Sequence, residues 1–248
     1  MSTLPPIEDR IVERPGDYGG TKTKTHHIPD LAYDEFWEDF YARLQKCNIL
    51  IPIRRGNKSI DPYFGNFGPR FHPITHTPNY FHTGIDFQGK QGTLIYPVLP
   101  GIFEYSGFTA VNGKYVVLSH PEIKTDDGYV LWSLYMHLSE TNVKFTKYQK
   151  MLRELSFHTY PNIPIKRTRA IGRMGDTGDL RGMVVHLHLQ LEFRKKDTIV
   201  VIDAAQALRI PSSQNKSAKI SDQKSFEEFC AAHSKDLSAW HAVWDERS

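Results

Sequence analysis

The sequence predicts a mainly β fold with helical additions at its two ends. Short runs rich in β-branched and aromatic residues follow one another from residue 93 to residue 138, and glycines and prolines separate them. The same strand pattern returns at residues 183–193 and 198–203. We therefore expect an antiparallel β domain with tight turns. With 40% hydrophobic and 24% charged positions, the chain has the composition of a globular protein, which excludes disordered and collagen-like classes.

The first 48 residues are predicted to hold an arm followed by one helix. Prolines, glycines and the alternation TKTKT indicate an extended or mobile arm over residues 1–30. Asp30 is the expected N-cap of an amphipathic helix of roughly four turns. The apolar positions that define its packing face are Leu31, Phe36, Phe40, Leu44 and Cys47.

The second half of the chain contains an interruption and a tail. Residues 143–156 predict a short helix, and a proline-containing segment follows it before the strands resume. After a polar stretch, residues 226–244 predict an aromatic-bearing helix. The predicted division is therefore an arm and helix at 1–48, a central domain at 49–208 with an insertion at about 141–168, and a helical tail at 209–248.

Charge, cysteine content and hydropathy exclude several classes of protein. Lys and Arg number 31 against 28 Asp and Glu, so a net charge of +3 predicts no dedicated nucleic-acid surface. The basic clusters at 54–58, 166–169 and 194–196 are interpreted as solvated surface. Cys47 and Cys230 cannot build a disulfide framework, and one bridge or two free thiols both stay open. No apolar run is long enough to span a membrane, and the opening residues lack the apolar core of a signal peptide.

The clearest chemical pattern is the predicted strand MVVHLHLQLEF at residues 183–193. Side chains alternate along a strand, so His186, His188, Gln190 and Glu192 share one face and the leucines share the other. Two imidazoles on one face lie close enough to serve one small site. Alone, the pattern favours adjacent surface histidines that occur by chance on an amphipathic strand.

Two further histidines stand in patterns that point to the same kind of site. If FHTGIDF is extended, His82 and Asp86 share a face, and Gly84 leaves space between them. Together with one histidine of the later strand, they supply three ligands of the kinds that zinc prefers. His137, in YMHL, is expected at a strand end, where it is either a functional group or a partly buried histidine held by a carbonyl.

In this order, these patterns resemble the lysostaphin-type (LytM-like) zinc metallopeptidases, which cut the peptide part of bacterial peptidoglycan. The resemblance runs from about residue 62 to residue 205 and implies an antiparallel LytM/lysostaphin-like sheet, a duplicated hybrid motif. The segments that carry it are NFGPRFHPI, FHTGIDF, GTLIYPV, KYVVLSH, YMHL, IGRMGDTG and HLHLQLEF.

The resemblance implies one zinc ion per chain with His82, Asp86 and His188 as ligands. It implies His137 and His186 as the catalytic histidines, while His72 and His120 would be structural or groove-lining. The chain departs from the family pattern by lacking the proline before the histidine pair and the phenylalanine after it. It also places 33 residues between His137 and Ile171, an insertion that either restricts substrate access or is a surface loop.

The implied function is a zinc-dependent endopeptidase that acts at the cell wall on stem peptides and cross-bridges of peptidoglycan. The alternative is a catalytically silent wall-binding or activator module of the same fold. Because no signal peptide is recognisable, the export route is open. An antagonistic effector or lysin would add a cognate immunity or inhibitor protein as partner. Glycine bridges and D-Ala–diaminopimelate links both remain candidate bonds.

Overall fold

The computed structural model describes residues 3–13, 25–29, 34–54, 65–70, 80–142, 163–178 and 185–210. Its main feature is a sheet in which eleven described strands take part, with a separate two-stranded sheet beside it. All pairs of the described strands are antiparallel except that of β2 with β13. The predicted mainly antiparallel β fold is confirmed.

The described strands are β1 (Ile11–Glu13), β2 (Thr25–Pro29), β3 (Gly68–Arg70), β4 (Tyr80–His82), β5 (Ile85–Gln88), β6 (Leu94–Ile95), β7 (Gly101–Thr109), β8 (Gly113–Lys124), β9 (Val130–Thr141), β10 (Ile163–Ile165), β11 (Gly172–Met174), β12 (His186–Lys195) and β13 (Thr198–Ile202). The described helices are α1 (Glu35–Lys46), α2 (Ala204–Ala207) and a 3₁₀ turn at Glu8–Arg10. The main sheet runs β1-β2-β13-β12-β9-β8-β7-β10, with β5 also on β12, and with β11 joining β6 to β9. None of these helices is long and apolar enough to cross a membrane.

Strand β12 lies at the centre of the main sheet and has two buried faces. Leu187, Leu189, Leu191 and Phe193 are fully buried in the core, as their alternation predicts. The ring of Phe193 packs edge-on against Phe40 of α1 at 5.6 Å between centroids. The polar face is buried too, since Glu192 is only 1% exposed. Burying polar groups costs free energy unless they are paired or bind a metal ion. This face is therefore a candidate for the functional site.

Helix α1 packs on the core but begins later than expected. Asp34 is its N-cap, because the Asp34 carboxylate accepts hydrogen bonds from the backbone N–H groups of Phe36 and Trp37. The prediction of Asp30 as the cap is therefore wrong, and Asp30 itself lies outside the described residues. The predicted inward positions Phe40 and Leu44 are fully buried. The helix has 12 residues, about three turns rather than four.

The described part of the predicted arm is built into the fold. Leu4 and Ile7 are buried in the core, at 3% and 0% exposure. Strand β2 pairs with β13 and so extends the main sheet. Burial of apolar side chains and strand pairing hold the described part of this segment in place. The arm over residues 1–30 as a whole stays a prediction.

Several predictions fall on residues outside the described ranges. They are the helix at 143–156, the tail helix at 226–244, His72 and Cys230. Cys47 has no disulfide partner among the residues that the structure describes, and whether it pairs with Cys230 stays open. The domain boundaries at 48 and 208 stay predictions, as does the 141–168 insertion, whose described flanks are strands β9 and β10.

Candidate active site

Four strands bring the predicted site residues together from distant parts of the chain. Strand β5 pairs with the first half of β12, and this register places Asp86 opposite His188. The other edge of β12 pairs with β9, where Met136 lies opposite His188. His137 follows directly, and His82 ends β4. The sheet therefore gathers at one place the side chains that the sequence separates by more than a hundred residues.

His82, Asp86 and His188 form a compact cluster of possible metal ligands. His82 Nε2 lies 2.9 Å from His188 Nδ1, and the same His188 atom lies 2.9 Å from Asp86 Oδ1. His82 Nε2 and Asp86 Oδ1 are 3.3 Å apart. Ligand atoms that surround zinc tetrahedrally at about 2.0 Å lie about 3.3 Å from one another. Two imidazole nitrogens and one carboxylate oxygen at this spacing could hold such an ion.

The ring of His82 is oriented by a backbone group. Its Nδ1 donates a hydrogen bond to the carbonyl oxygen of Asn66 at 2.8 Å. In the neutral ring this leaves the lone pair on Nε2, the atom that faces Asp86 and His188. Such an outer hydrogen bond is the usual way in which a protein fixes the tautomer of a metal-ligating histidine.

Asp86 is held as a carboxylate despite its burial. Burial alone would raise the pKa of Asp86, but its electrostatic and hydrogen-bond interactions with His82 and His188, when these rings are protonated, hold that pKa well below its usual value. At neutral pH the cluster thus contains one anionic ligand, which balances part of the charge of a divalent cation.

His137 and His186 lie beside this cluster as a second pair. Their ring centroids are 4.5 Å apart, and the ring of His137 is 6.0 Å from that of His188. His137 Nδ1 donates to the carbonyl oxygen of Thr177 at 2.8 Å. Burial, followed by the charges of His186 and His188, lowers the pKa of His137 well below its usual value, so this ring is neutral.

The backbone of His137 adopts a conformation that is uncommon for a residue other than glycine. Its φ of +59° is in the left-handed region. Its own N–H donates to the carbonyl oxygen of Asn112 at 3.0 Å, which stabilises that conformation. Backbone conformations of this kind concentrate at functional sites, where the surrounding structure must hold them in place.

Gly84 approaches His188 more closely than the sequence indicated. A Cβ at this position would lie 2.5 Å from His188 Nε2 and 2.5 Å from the carbonyl oxygen of Leu189. The space that we expected between His82 and Asp86 is therefore occupied by the ring of His188. Next to this ring, Thr83 donates a hydrogen bond to Gln190 at 2.7 Å.

His120 lies apart from the site and has structural partners. Its Nδ1 donates to the carbonyl oxygen of Pro100 at 2.9 Å, and Nε2 accepts from the hydroxyl of Ser133 at 2.8 Å. Burial lowers its pKa to about 4. These contacts agree with the structural alternative that the sequence left open for His120.

The comparison with known families decides the identity of this region. Residues 80–201 match the model of peptidase family M23. These residues form an M23 peptidase domain. The resemblance to lysostaphin-type peptidases is thereby confirmed, and the M23 domain contains all five residues that the sequence analysis selected.

In the other comparisons, the similarity covers only part of this chain and only part of the other protein. The peptidoglycan DD-endopeptidase ShyC of Vibrio cholerae serotype O1 is 28% identical over 145 residues, which are 58% of this chain and 28% of ShyC. A zinc-containing peptidase of V. cholerae is 22% identical with a TM-score of 0.43, over 64% of this chain and 39% of that one. The catalytic domain of lysostaphin from Staphylococcus simulans is 22% identical with a TM-score of 0.40, over 58% of this chain and 89% of that one. The chain thus spans well under half the length of ShyC.

Proposed function

We propose that the protein is a zinc-dependent endopeptidase that hydrolyses peptide cross-links of bacterial peptidoglycan at the cell wall. The observation that carries the proposal is the convergence of His82, Asp86 and His188, with His137 and His186 beside them. The M23 domain supports the peptidase activity, and the name of ShyC supports peptidoglycan as the substrate.

We assign His82, Asp86 and His188 as the residues that hold one zinc ion. Their donor atoms have the spacing and the chemistry that zinc prefers, and two of them are already oriented by hydrogen bonds. When bound, zinc would polarise the scissile carbonyl and acidify a water molecule.

His137 and His186 are assigned to proton transfer. Because the Thr177 carbonyl keeps the proton of His137 on Nδ1, the neutral ring has its lone pair on Nε2. This tautomer suits a group that accepts a proton from the attacking water and then donates it to the leaving amine or to the developing oxyanion. His186 packs against it at 4.5 Å and is the second candidate for these steps.

Digestion of purified sacculi tests the proposal. The zinc-loaded protein should release products cut within the peptide part, and mass spectrometry of the muropeptides identifies the bond. Asp86→Asn should lose at least 100-fold in rate and should no longer bind stoichiometric zinc. Asp9→Asn, which removes an exposed carboxylate outside the site, is the matched control and should retain both.

Two outcomes would contradict the assignment. Cleavage at the parental rate by Asp86→Asn would show that the cluster is not the metal site. A zinc-loaded protein that cuts no sacculi but stimulates another hydrolase would instead support the catalytically silent activator module.

A further inference from the structure

A cleft of about 860 Å³ lies away from the M23 site residues. Its walls are the carboxyl end of α1 with the residues that follow it up to Arg54, together with Tyr96, Pro97, Arg167, Leu208 and Arg209. None of the five candidate site residues lines it. Its volume is in the range of small-molecule binding sites, about 300–1,000 Å³.

The charged residues that the structure describes around this cleft are all positive. No Asp or Glu is among its described lining residues, which include four cationic side chains. They are Lys46, Arg54, Arg167 and Arg209. Two basic clusters of the sequence, at 54–58 and 166–169, thus each contribute an arginine to one cleft. Four like charges around one concave surface produce a local positive potential, which attracts anions.

The three arginines bind backbone carbonyls and no carboxylate within the described residues. Arg54 donates to the carbonyl oxygen of Arg167, and Arg167 donates to that of Asn48 at 3.3 Å. Arg209 donates to the carbonyl oxygen of Gln45 at 3.3 Å. A guanidinium has five N–H donors, so each arginine is fixed by one bond and keeps others for a ligand. Fixing the side chains beforehand reduces the entropy lost on binding.

The third basic cluster of the sequence behaves differently. Arg194 pairs with the buried carboxylate of Glu192, and Lys195 pairs with Glu8 at 2.8 Å. These charges are neutralised within the protein. Among the described residues, the cleft arginines thus differ from Arg194 and Lys195 in having no carboxylate partner.

Tyr96 adds an aromatic surface to the cleft. The guanidinium carbon of Arg54 lies 4.0 Å from the centroid of the Tyr96 ring, a cation–π contact that fixes the plane of the guanidinium. Leu50, at 40% exposure, is one of several apolar side chains on the same walls. The cleft can therefore contact both a charged head and a small uncharged part of a ligand.

We propose that this cleft binds a small phosphate-bearing anion. A single carboxylate offers these four cations one charge and two acceptor oxygens. A phosphate monoester has nearly two charges and three strong acceptor oxygens, and planar guanidinium groups bind such oxygens in pairs. The proposal is independent of the peptidase activity and does not involve the metal cluster.

Calorimetric titration of the full-length, zinc-loaded protein with glycerol 3-phosphate tests the proposal, with glycerol as the uncharged control. We expect one saturable site in 0.1 M NaCl and no binding of glycerol. The double change Arg54→Gln and Arg167→Gln should weaken binding at least tenfold. The matched control is Arg43→Gln with Arg173→Gln, because both of these exposed arginines pair with carboxylates elsewhere. It should leave the affinity unchanged.

Lys46→Gln provides a second variant that does not disturb folding, because no intramolecular bond of Lys46 is found among the described residues. It should weaken binding about threefold or more. Unchanged affinity in the Arg54/Arg167 and Lys46 variants would overturn the proposal, since the phosphate would then bind elsewhere, for example at the metal. Equal weakening in the control pair would reduce the effect to overall charge and would also overturn it. Binding to phosphatidylglycerol vesicles without binding of glycerol 3-phosphate would show a membrane surface instead of a ligand site.

Discussion

The change of Gly84 to alanine should weaken metal binding as well as the fold. The backbone of Gly84 is outside the left-handed region, so alanine is conformationally allowed there. The new Cβ would lie 2.5 Å from both His188 Nε2 and the carbonyl oxygen of Leu189, whereas ordinary contacts begin at 3.4 Å. The neighbouring atoms must therefore retreat by about 0.9 Å.

The ring of His188 should move more than the strand behind it. Strand β12 is paired along both edges, with β9 on one side and β5 on the other at this point, so the Leu189 carbonyl cannot shift without breaking the ladder. Zinc–ligand distances tolerate only about 0.2 Å. We expect zinc affinity to fall by about 10- to 100-fold, the range found when the surroundings of a ligand are changed. Overpacking should reduce the free energy of unfolding by about 1–3 kcal/mol.

Competition with a chromophoric zinc chelator measures the affinity, and urea unfolding of the metal-free proteins measures stability. Gly107→Ala is the matched control, because its Cβ would lie 2.7 Å from the hydroxyl oxygen of Tyr115, away from the metal cluster. It should keep its zinc affinity, and its stability should change less, because the Tyr115 hydroxyl ends a side chain that can move aside. Parental zinc affinity in Gly84→Ala would refute the reasoning, and so would an equal loss of affinity in Gly107→Ala.

Three further predictions concern the free energy of unfolding of the metal-free chain. Burial holds the pKa of His120 at about 4, below its ordinary 6.5. The contribution of neutral His120 to the free energy of unfolding is therefore complete above pH 6.5. It falls by about 3 kcal/mol as the pH drops toward 4, because the unfolded chain takes up the proton first. The stability gap between the parent and His120→Gln should narrow over that window, and a constant gap would contradict this account. Glu192→Ala leaves Arg194 without its carboxylate and should destabilise by about 3–5 kcal/mol, whereas Asp39→Ala at an exposed pair should change stability by less than about 1 kcal/mol; equal effects would argue against burial as the cause. Asp34→Ala should reduce stability by about 1 kcal/mol and Asp34→Asn by much less, in urea titrations, because asparagine also caps helices; equal losses would exclude the cap.

The strand that carries the histidine pair could be predicted because its signal is local. A period of two in the sequence decides which side chains share a face, whatever the rest of the chain does. Leu187 and Leu189 are fully buried, and His186 and His188 lie on the opposite face as expected. The match to peptidase family M23 also includes the whole of this strand, because it extends to residue 201.

The groups that orient the histidines could not be predicted from the sequence. His82 is fixed by the carbonyl of Asn66 and His137 by the carbonyl of Thr177. Every residue has such a carbonyl, so no residue type signals the interaction. It depends on how the chain returns to the site, which only the tertiary structure decides. The positive φ of His137 has the same origin, because side-chain identity gives no indication of it.

The start of α1 shows how a local signal can be ambiguous. Asp30 and Asp34 both precede apolar residues at helical spacing, and an aspartate can cap a helix at either position. The structure places the cap at Asp34, whose carboxylate also pairs with Arg10 at 2.7 Å. That second contact comes from the N-terminal segment, which is packed on the core through Leu4 and Ile7. A tertiary contact of this kind is not visible in helix periodicity.

The basic clusters show why a count of charges cannot predict binding. All three appear alike in the sequence, and a net charge of +3 suggests that they are solvated and inert. In the fold, Arg194 lies beside Glu192 of its own strand and is neutralised. Arg54 and Arg167 instead come together from separate segments with no carboxylate among the described residues that line their cleft. Since attraction for an anion depends on local potential and not on the total, the same sequence pattern leads to an ion pair in one place and to a candidate ligand site in the other.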